Sequence, residues 1–328
     1  MTAAALSCPQ TALVACMRNE GPFLVEWVAY HRVIGFDRIV VCSNDCTDGS
    51  DALLNALAAA GVVTHLRNPV PPGTAPQDAG MALAMAHLAG SDAEWLCHLD
   101  SDEFLNIAPG AGHLADLLAR TGQSDVIALP WRAFGDNGLT DWPGNTLPAF
   151  TACEAAPDPD TVKFKSMFRF RAFAHASDHM PTAPRIPDPR VVNAAGVALD
   201  NAVLFGPPRS KYRPLDRAMR GGACVNHYAI RSADTFLMKN DRGDGQGKTS
   251  DKYHLNGRWH RIANRNEARD TSILRHWPAT QALMATLRGL PVLAAAEAAC
   301  QAAFHARKAQ ILTPATLHAW TKPQRAPA

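Results

Sequence analysis

The chain has 328 residues, of which 47% are hydrophobic and 19% are charged, a balance typical of a soluble globular protein with a sizeable core. No apolar run approaches the roughly 20 residues that a membrane-spanning helix needs. The net charge of +2 hides an uneven distribution, since residues 1–162 hold 6 Lys and Arg against 19 Asp and Glu, whereas residues 163–275 hold 21 against 10. Such a division is expected where one site handles both a cation and a polyanion, and equally where both faces are merely solvated.

Eight cysteines are scattered along the chain. Cys42 and Cys46 have the spacing C-x3-C but lack a second pair, so the sequence does not predict a structural zinc site. The first ten residues show neither a basic start nor a long apolar stretch. Reduced thiols and this start together predict a cytoplasmic location, which is compatible with peripheral contact at the inner face of the membrane.

Residues 11–130 alternate between strand-like and helix-like stretches. The predicted strands are 11–17, 38–43, 62–66 and 94–99, and the predicted helices are 19–35, 48–61 and 77–89. Asn19 suits the N-cap of the first helix. Because strands that alternate with helices form right-handed crossovers, the sequence predicts an α/β fold with a mainly parallel, Rossmann-like sheet flanked by helices.

Beyond residue 130 this regular alternation is lost. The sequence predicts a strand running into a loop at 129–138, an alternating basic and apolar stretch at 163–173, a strand, a helix and a glycine-rich loop within 226–248, and helices from about 277. We expect a catalytic domain over 1–250, with halves of about 11–130 and 131–250. A mostly helical extension is expected over 251–328.

Polar clusters follow three of the predicted strands, at 18–20, 43–51 and 100–104. Ligands of parallel sheets bind beyond the carboxyl ends of the strands. In "DSDEF", Asp100, Asp102 and Glu103 would repel one another unless positive charge is near. Two carboxylates spaced D-x-D suit Mg²⁺ or Mn²⁺, which complete their shells with water and substrate phosphates. The sequence therefore predicts a divalent metal ion that is bound together with a diphosphate.

The cluster "SNDCTDGSD" follows the second strand and precedes the second helix. Asp45 and Asp48 in this loop could accept hydrogen bonds from the base or the ribose of a nucleoside. For Asp48, turn and capping chemistry is an equally good interpretation.

Several of these residues carry a family resemblance. They are Arg18, Asn19, Glu20, Glu26, Trp27 and His31, followed by Asp100, Asp102, Glu103 and Phe104. With "NDCTDGS", "WRAFGDNG", "KSMFR", "HMP" and "NHY", they resemble family 2-like glycosyltransferases of the GT-A fold, in the branch with "RNE…EW…H", "DxDEF" and "NHY". The resemblance covers roughly residues 11–245, and it departs from the pattern at Asp136, where a small residue is expected.

This resemblance implies a GT-A-like fold, a nucleotide-sugar donor (a UDP-sugar first), Mn²⁺ or Mg²⁺, and transfer to an acceptor hydroxyl, with inversion the expected outcome. Asp102 would ligate the metal, Asp100 would touch the ribose or a metal-bound water, and His227 of "NHY" would be a third ligand. Asp45 would contact the base, with Arg18, Asn19 and Asp48 also on the donor side. The acceptor would be a glycan, a lipid-linked or another hydroxyl compound.

The basic half supplies candidate ligands for the diphosphate. They are Lys165, Arg169, Lys239, Arg242 and Lys248. Residues 241–248 are glycine-rich and could form a lid over the donor.

The sequence does not decide which residue is the catalytic base. Asp136, Asp178, His179 and Glu103 are all candidates for it. Trp131, Phe134 and Trp142 could form a wall on which a sugar stacks.

Two other functions compete with this one. A nucleotidyltransferase shares the general fold but usually carries a glycine-rich loop near its start, which "ACMRNEGPF" lacks. A nucleic-acid-binding module could use the basic 163–275 region, with "KFKSMFRFRAF" as an exposed sheet face, but it leaves the acidic cluster unexplained. We therefore expect no nucleic-acid partner.

Overall fold

A computed structural model describes residues 10–158, 162–205, 220–243 and 251–323. Its strands are β1 (Thr11–Met17), β2 (Arg38–Ser43), β3 (Thr64–Arg67), β4 (Trp95–His98), β5 (Glu103–Ile107), β6 (Val126–Ala133), β7 (Ala152–Cys153), β8 (Phe164–Arg169), β9 (Phe173–Ala176), β10 (Pro181–Pro184), β11 (Val191–Asn193), β12 (Ala198–Leu199), β13 (Ala223–His227) and β14 (Ala268–Arg269). Its helices are α1 (Gly21–Val33), α2 (Ser50–Ala59), α3 (Pro76–Leu88), α4 (Leu114–Thr121), α5 (Ala233–Arg242), α6 (Arg258–Ala263), α7 (Trp277–Arg288), α8 (Pro291–Ile311) and α9 (Pro314–Ala319).

A mixed, mostly parallel sheet forms the centre of the fold. Its strands follow the order β12-β11-β6-β8-β4-β1-β2-β3, and β13 pairs with both β6 and β5. β1 lies parallel to β2 and β4, and β3 continues the parallel set. Only β8 runs against its neighbours β4 and β6 within the central part. The predicted α/β fold, with a mainly parallel sheet flanked by helices and a helical C-terminal region, is confirmed.

The strands and helices expected over residues 11–130 are present within two residues of their predicted bounds. One local prediction was wrong: the N-cap of α1 is Glu20, not Asn19. Asn19 has a φ of 53° and binds the neighbouring loop instead, donating from Nδ2 to Thr47 Oγ1 and accepting from the Thr47 amide.

Strand β5 was not predicted, and it sets the geometry of the cleft. The chain turns directly after Asp102 and runs back as β5, antiparallel to β13. In this register His227 lies opposite Glu103, and the Tyr228 amide donates to the Asp102 carbonyl at 2.8 Å. The acidic motif and "NHY" are therefore neighbours, although more than 120 residues separate them in sequence.

The direction of β8 places its two ends at opposite edges of the sheet. Since β8 is antiparallel to β4, its start lies at the carboxyl edge of the parallel strands and its end at the opposite edge, where Arg169 pairs with Trp95. Arg169 packs its guanidinium over the Trp95 ring and contacts Glu94, so it lies away from the expected phosphate site. β8 is also a buried central strand rather than the exposed basic face that a nucleic-acid platform requires.

Helix α1 is buried along most of its length and holds β5 in place. Trp27 Nε1 donates to the Glu103 carbonyl at 3.0 Å, and the Tyr30 hydroxyl donates to the Leu105 carbonyl at 2.7 Å. Glu26 accepts hydrogen bonds from the amides of Thr146 and Leu147 at 2.6 and 2.8 Å. The residues of "EW…H" thus serve the packing of the sheet and its loops.

The C-terminal helices pack directly on this arrangement. Side chains of α7 and α8, among them Met284, Leu293 and Cys300, belong to the same apolar cluster as α1 and α2. A Cβ on Gly21 would lie 2.5 Å from Cys300 Sγ, so the close approach of α8 to the start of α1 requires a glycine. The boundary expected at residue 250 stays a prediction.

Within the described ranges no single helix is long and apolar enough to cross a membrane, and one pair, Ser272–Arg288 with Pro291–Ile311, meets the length and composition test but is bent by 104°.

Candidate active-site cleft

A cleft of about 510 Å³ opens at the carboxyl edge of the parallel strands. The predicted site residues that line it are Arg18, Asp45, Asp100, Asp102, Trp131, Asp178, His179, His227, Lys239 and Arg242. Across the edge of the sheet, the lining passes from the loops after β2 and β1, through the end of β4, to β13 and β6.

The loops after β1 and β2 form one end of the cleft. Asn19 and Asp45 each lie two residues beyond their strand and adopt φ values of 53° and 48°, a conformation that Asn and Asp tolerate better than most residues. Arg18 and Asp45 are exposed to the cleft, as expected of donor-binding residues.

Asn19 and Asp48 have a different position. Asp48 Oδ2 accepts from the Gly21 amide at 3.2 Å at the start of α1, so it binds between the two loops as Asn19 does. Both line a second cavity, of about 260 Å³, rather than the cleft.

Asp100 lies at the end of β4 with its carboxylate between two donors. Gln77 Nε2 lies 2.9 Å from Oδ1, and Lys165 Nζ lies 2.9 Å from Oδ2. Burial opposes ionisation, but Lys165 outweighs it and lowers the pKa of Asp100. Asp100 therefore faces the cleft as a carboxylate that is paired with the ammonium group of Lys165.

Lys165 and Glu103 lie beneath the cleft rather than in it. Both side chains are fully buried, and Lys165 Nζ lies 3.0 Å from Glu103 Oε2. Burial by itself lowers the pKa of Lys165, but Asp100 and then Glu103 raise it by more, so that the pKa lies above its usual value. Burial raises the pKa of Glu103 to about 8, and its Oε2 accepts the Asp100 amide at 2.8 Å. Lys165 thus serves as an internal counter-ion, and Glu103 is brought to the acidic turn without reaching the cleft.

Asp102 is the point at which the acidic motif meets "NHY". Its Oδ2 accepts from Lys239 Nζ at 2.6 Å, and its Oδ1 lies 3.7 Å from His227 Nε2. Burial works against the carboxylate, but Lys239 and then His227 lower the pKa of Asp102 well below its usual range. The positive charge that the sequence led us to expect from a metal is therefore supplied in part by Lys239 and Lys165.

The residues present fit a divalent cation at this point. Burial lowers the pKa of His227 to about 4, so its imidazole is neutral near pH 7 and can act as a ligand through Nε2. Asp102 Oδ1 faces the same side, and hard divalent cations accept such incomplete protein shells, with water and phosphate oxygens filling the rest. Among the described residues, no group of three or more His, Cys, Asp or Glu side chains is arranged to hold a metal by itself.

The two other predicted phosphate ligands are Arg242 and Lys248. Arg242, at the end of α5, lines the cleft and forms an ion pair with Glu20. Lys248 and most of the expected lid lie outside the described residues.

The candidate bases are separated by the fold. Asp136 lies in a turn, where its carboxylate accepts from the Gly138 amide and from Asn264 Nδ2, and it does not line the cleft. Asp178 does line the cleft, with 13% of its side chain exposed and Oδ2 3.6 Å from His179 Nε2. Burial, followed by Lys165, lowers the pKa of His179 to about 3. Of the four candidates, only Asp178 and His179 reach the cleft.

The aromatic wall differs from the expected one. Trp131 lines the cleft, with its ring centroid 4.1 Å from that of His227, whereas Phe134 and Trp142 lie in the core. Tyr253 and Trp259, from the segment assigned to the extension, complete the wall. The only sequence signal for them was two aromatic residues within a polar stretch, "DKYHLNGRWH".

The chain is similar in part to curated proteins that are named as glycosyltransferases. A glycosyltransferase family 92 protein of Ricinus communis is 28% identical over 148 residues, or 44% of this chain and 26% of its own length, and 27% identical over a longer match of 242 residues, or 69% and 36%. A family 92 protein of Oryza sativa subsp. japonica is 32% identical over 148 residues, or 43% and 24%. The chain therefore spans about a quarter to a third of these relatives. No family model matches, and the family 2-like branch stays a prediction.

Two solved structures show weak overall similarity. Glucosyl-3-phosphoglycerate synthase from Mycobacterium tuberculosis, solved with Mn²⁺, UDP and glucosyl-3-phosphoglycerate, has a TM-score of 0.27 and 19% identity, and the match covers 38% of this chain and 44% of that one. TarS of S. aureus has a TM-score of 0.35 and 11% identity over 92% of this chain and 55% of that one. These scores are too low to bear on the activity of this chain.

Proposed function

We propose that the protein is a metal-dependent glycosyltransferase that moves a sugar from a nucleotide-sugar donor to an acceptor hydroxyl with inversion. The observation that carries this proposal is the convergence of Asp100, Asp102 and His227 in one cleft at the carboxyl edge of the sheet. The similarity to relatives named as family 92 glycosyltransferases supports it.

The donor would lie across the ends of β2, β1 and β4. Asp45 and Arg18 are exposed at the far end of the cleft, where a nucleoside fits between the two loops. Asp100 follows, within reach of ribose or diphosphate, and Lys239 and Arg242 bring positive charge to the same part of the cleft. A UDP-sugar is the first donor to test.

Asp102 and His227 would hold the divalent cation, with Mn²⁺ and Mg²⁺ as the candidates. When bound, such a cation neutralises charge on the leaving diphosphate. Lys239 keeps Asp102 ionised, and burial keeps His227 neutral with its pKa near 4, so both groups are ready for this role at pH 7.

Asp178 would act as the general base. In the transfer, the acceptor hydroxyl oxygen forms a bond to the anomeric carbon on the face opposite the diphosphate. The bond from that carbon to the phosphate oxygen breaks, and its electrons leave with the nucleoside diphosphate. The hydroxyl proton passes to the Asp178 carboxylate, which lies in the cleft while the other acidic candidates do not.

A thermal-shift panel of nucleoside diphosphates, with and without Mn²⁺, tests the proposal. We expect one nucleotide to raise the melting temperature by several degrees, and only with the metal, because ligands that bind the folded state alone stabilise it. A panel in which no nucleotide shifts the melting temperature, with or without the metal, would contradict the proposal.

The base is tested by Asp178→Asn, with Asp92→Asn as the matched control. Asp92 is exposed and pairs with Arg38 away from the cleft. We expect Asp178→Asn to lower the transfer rate by about 10²- to 10⁴-fold with nucleotide affinity retained, and the control to leave both unchanged. Equal rates in the two variants would assign the base to another group.

A further inference from the structure

The wall of the cleft beyond His227 combines aromatic rings with lysines. Trp131 of β6 and Trp259 of α6 have ring centroids 4.1 and 6.3 Å from that of His227, and Tyr253 lies beside them in the lining. All three rings are half-buried, and all three residues line the cleft. Such rings provide flat apolar surfaces against which the C–H face of a sugar can pack.

Two ammonium groups lie over these rings. Lys163 Nζ is 5.4 Å from the Trp131 centroid and 5.5 Å from the Trp259 centroid. Lys252 Nζ is 5.0 Å from the Tyr253 centroid and 5.6 Å from the Trp259 centroid. These are cation–π distances, and they place two positive charges on one aromatic surface.

This surface lies at the end of the cleft opposite the nucleoside loops. The Trp131 amide donates to the Lys163 carbonyl at 2.8 Å, so both residues belong to the β6 and β8 side of the sheet. Asp45 follows β2, with β1 and β4 in between. Asp178, the proposed base, lines the cleft together with Trp131 and Lys163. The aromatic surface and its lysines are therefore on the acceptor side.

We propose that the acceptor is a saccharide that carries an anionic group, either a uronic carboxylate or a phosphate ester, and that Trp131 and Trp259 bind its ring while Lys163 and Lys252 bind its charge. This inference rests on the proposed function. A neutral sugar would gain from the rings alone, whereas a carboxylate or phosphate also gains from two lysine charges in a partly desolvated cleft.

Matched glycosides measure this preference directly. Calorimetry with saturating Mn²⁺ and the nucleoside diphosphate selected by the thermal-shift panel would compare 4-nitrophenyl β-D-glucuronide with the glucoside, the galacturonide with the galactoside, and glucose 6-phosphate with glucose. We expect the anionic member to bind at least tenfold more tightly in one or more pairs. The first two pairs report a carboxylate site and the third a phosphate site. Equal affinity in every pair, tighter binding of the neutral members, or no binding of any glycoside overturns the inference.

Substitution of the lysines assigns the preference to them. In the double variant Lys163→Gln, Lys252→Gln we expect the anionic preference to fall below threefold. The matched control is Arg258→Gln, since Arg258 is exposed on α6 next to Trp259 but does not line the cleft. We expect the control to keep the preference.

Nucleotide binding separates the two proposals. If the double variant keeps the anionic preference and loses nucleotide affinity instead, the lysines serve the donor diphosphate, and the acceptor inference is wrong while the proposed function stands. If the wild-type protein binds no nucleotide with Mn²⁺, the proposed function itself fails.

Discussion

Helix α1 and the cleft both contain residues of the sequence patterns that predicted the site, yet their side chains have different surroundings. Glu26, Trp27 and His31 of α1 are at most 3% exposed, and each side chain forms a hydrogen bond with a backbone group of the protein. Asp102 and His227 line the cleft, and their polar atoms face each other. Residues that were singled out together in the sequence therefore serve two physical purposes, packing in α1 and ligand contact in the cleft.

The difference between α1 and the cleft predicts different effects for substitutions in the two regions. Trp27 Nε1 binds the Glu103 carbonyl, so α1 fixes the position of the acidic turn without touching a ligand. Loss of an α1 contact should lower the free energy of unfolding, whereas loss of a cleft group should lower metal or nucleotide affinity. Lys165 lies between the two regions, because it is fully buried but contacts Asp100 of the cleft.

Lys165→Met should have the largest effect. It leaves the Asp100 carboxylate and the buried Glu103 carboxyl group without their shared cation, and breaking a buried ion pair costs about 3–5 kcal/mol. Urea denaturation would measure the loss. The double variant Lys165→Met, Glu103→Gln replaces the second ionisable group beside Asp100 with a neutral amide and should recover part of the loss. An unchanged free energy of unfolding in the single variant would contradict the role of Lys165 as an internal counter-ion.

Glu26→Ala should give the next largest loss in the free energy of unfolding. It removes the acceptor of two buried amides, those of Thr146 and Leu147, and each stranded donor costs about 1–3 kcal/mol. Nucleotide affinity of the folded protein should stay within twofold of wild type. Glu26→Gln keeps one carbonyl acceptor and should lose less. If Glu26→Ala instead leaves stability unchanged and abolishes nucleotide binding, the division between the two regions is wrong.

His227→Ala should act on the metal and not on the fold. We expect the Mn²⁺ concentration that half-saturates nucleotide binding to rise at least tenfold, since even outer-shell partners of a metal cost 10- to 100-fold. Excess Mn²⁺ should restore part of the binding. Titration of nucleotide binding with Mn²⁺ measures this, and an unchanged midpoint would remove His227 from the metal site.

Substitution of His31 should give the smallest effect at pH 7, and its effect should become visible as the pH is lowered. Burial lowers the pKa of His31 to about 3 from 6.5, so between these values the unfolded chain binds a proton that the folded protein does not. The stabilisation is therefore complete above about pH 6.5 and is lost as the pH falls. His31→Phe removes the titration but keeps a ring against Phe104. Its free energy of unfolding should fall less steeply than that of wild type from pH 6.5 to 4, and parallel curves would contradict this.

Local patterns were sufficient to predict much of the fold. The alternating stretches over residues 11–130 gave the parallel strands, because apolar periodicity and capping residues are properties of neighbouring residues. They also placed Arg18, Asp45, Asp100 and Asp102 at one edge of the sheet, where the structure has them.

Contacts between distant segments could not be predicted from the sequence. The pairing of β5 with β13 depends on partners more than 110 residues apart, and the direction of β8 decides that Lys165 reaches Asp100 while Arg169 does not. A pattern of alternating residues does not state the direction of a strand. Trp259 reaches the cleft from beyond the expected domain boundary, and this contact between distant segments also left no local pattern in the sequence.

Calorimetry of nucleoside diphosphate binding to wild type and Asp102→Asn, first with EDTA and then with Mn²⁺, tests the central claim most directly. Asparagine keeps the shape of the side chain but removes the charge that faces His227 and Lys239. We predict that Mn²⁺ strengthens binding to the wild-type protein at least tenfold and has no such effect on Asp102→Asn, while the variant stays folded. Equal affinity with EDTA and with Mn²⁺ in the wild-type protein would contradict a metal-dependent site at Asp102 and His227.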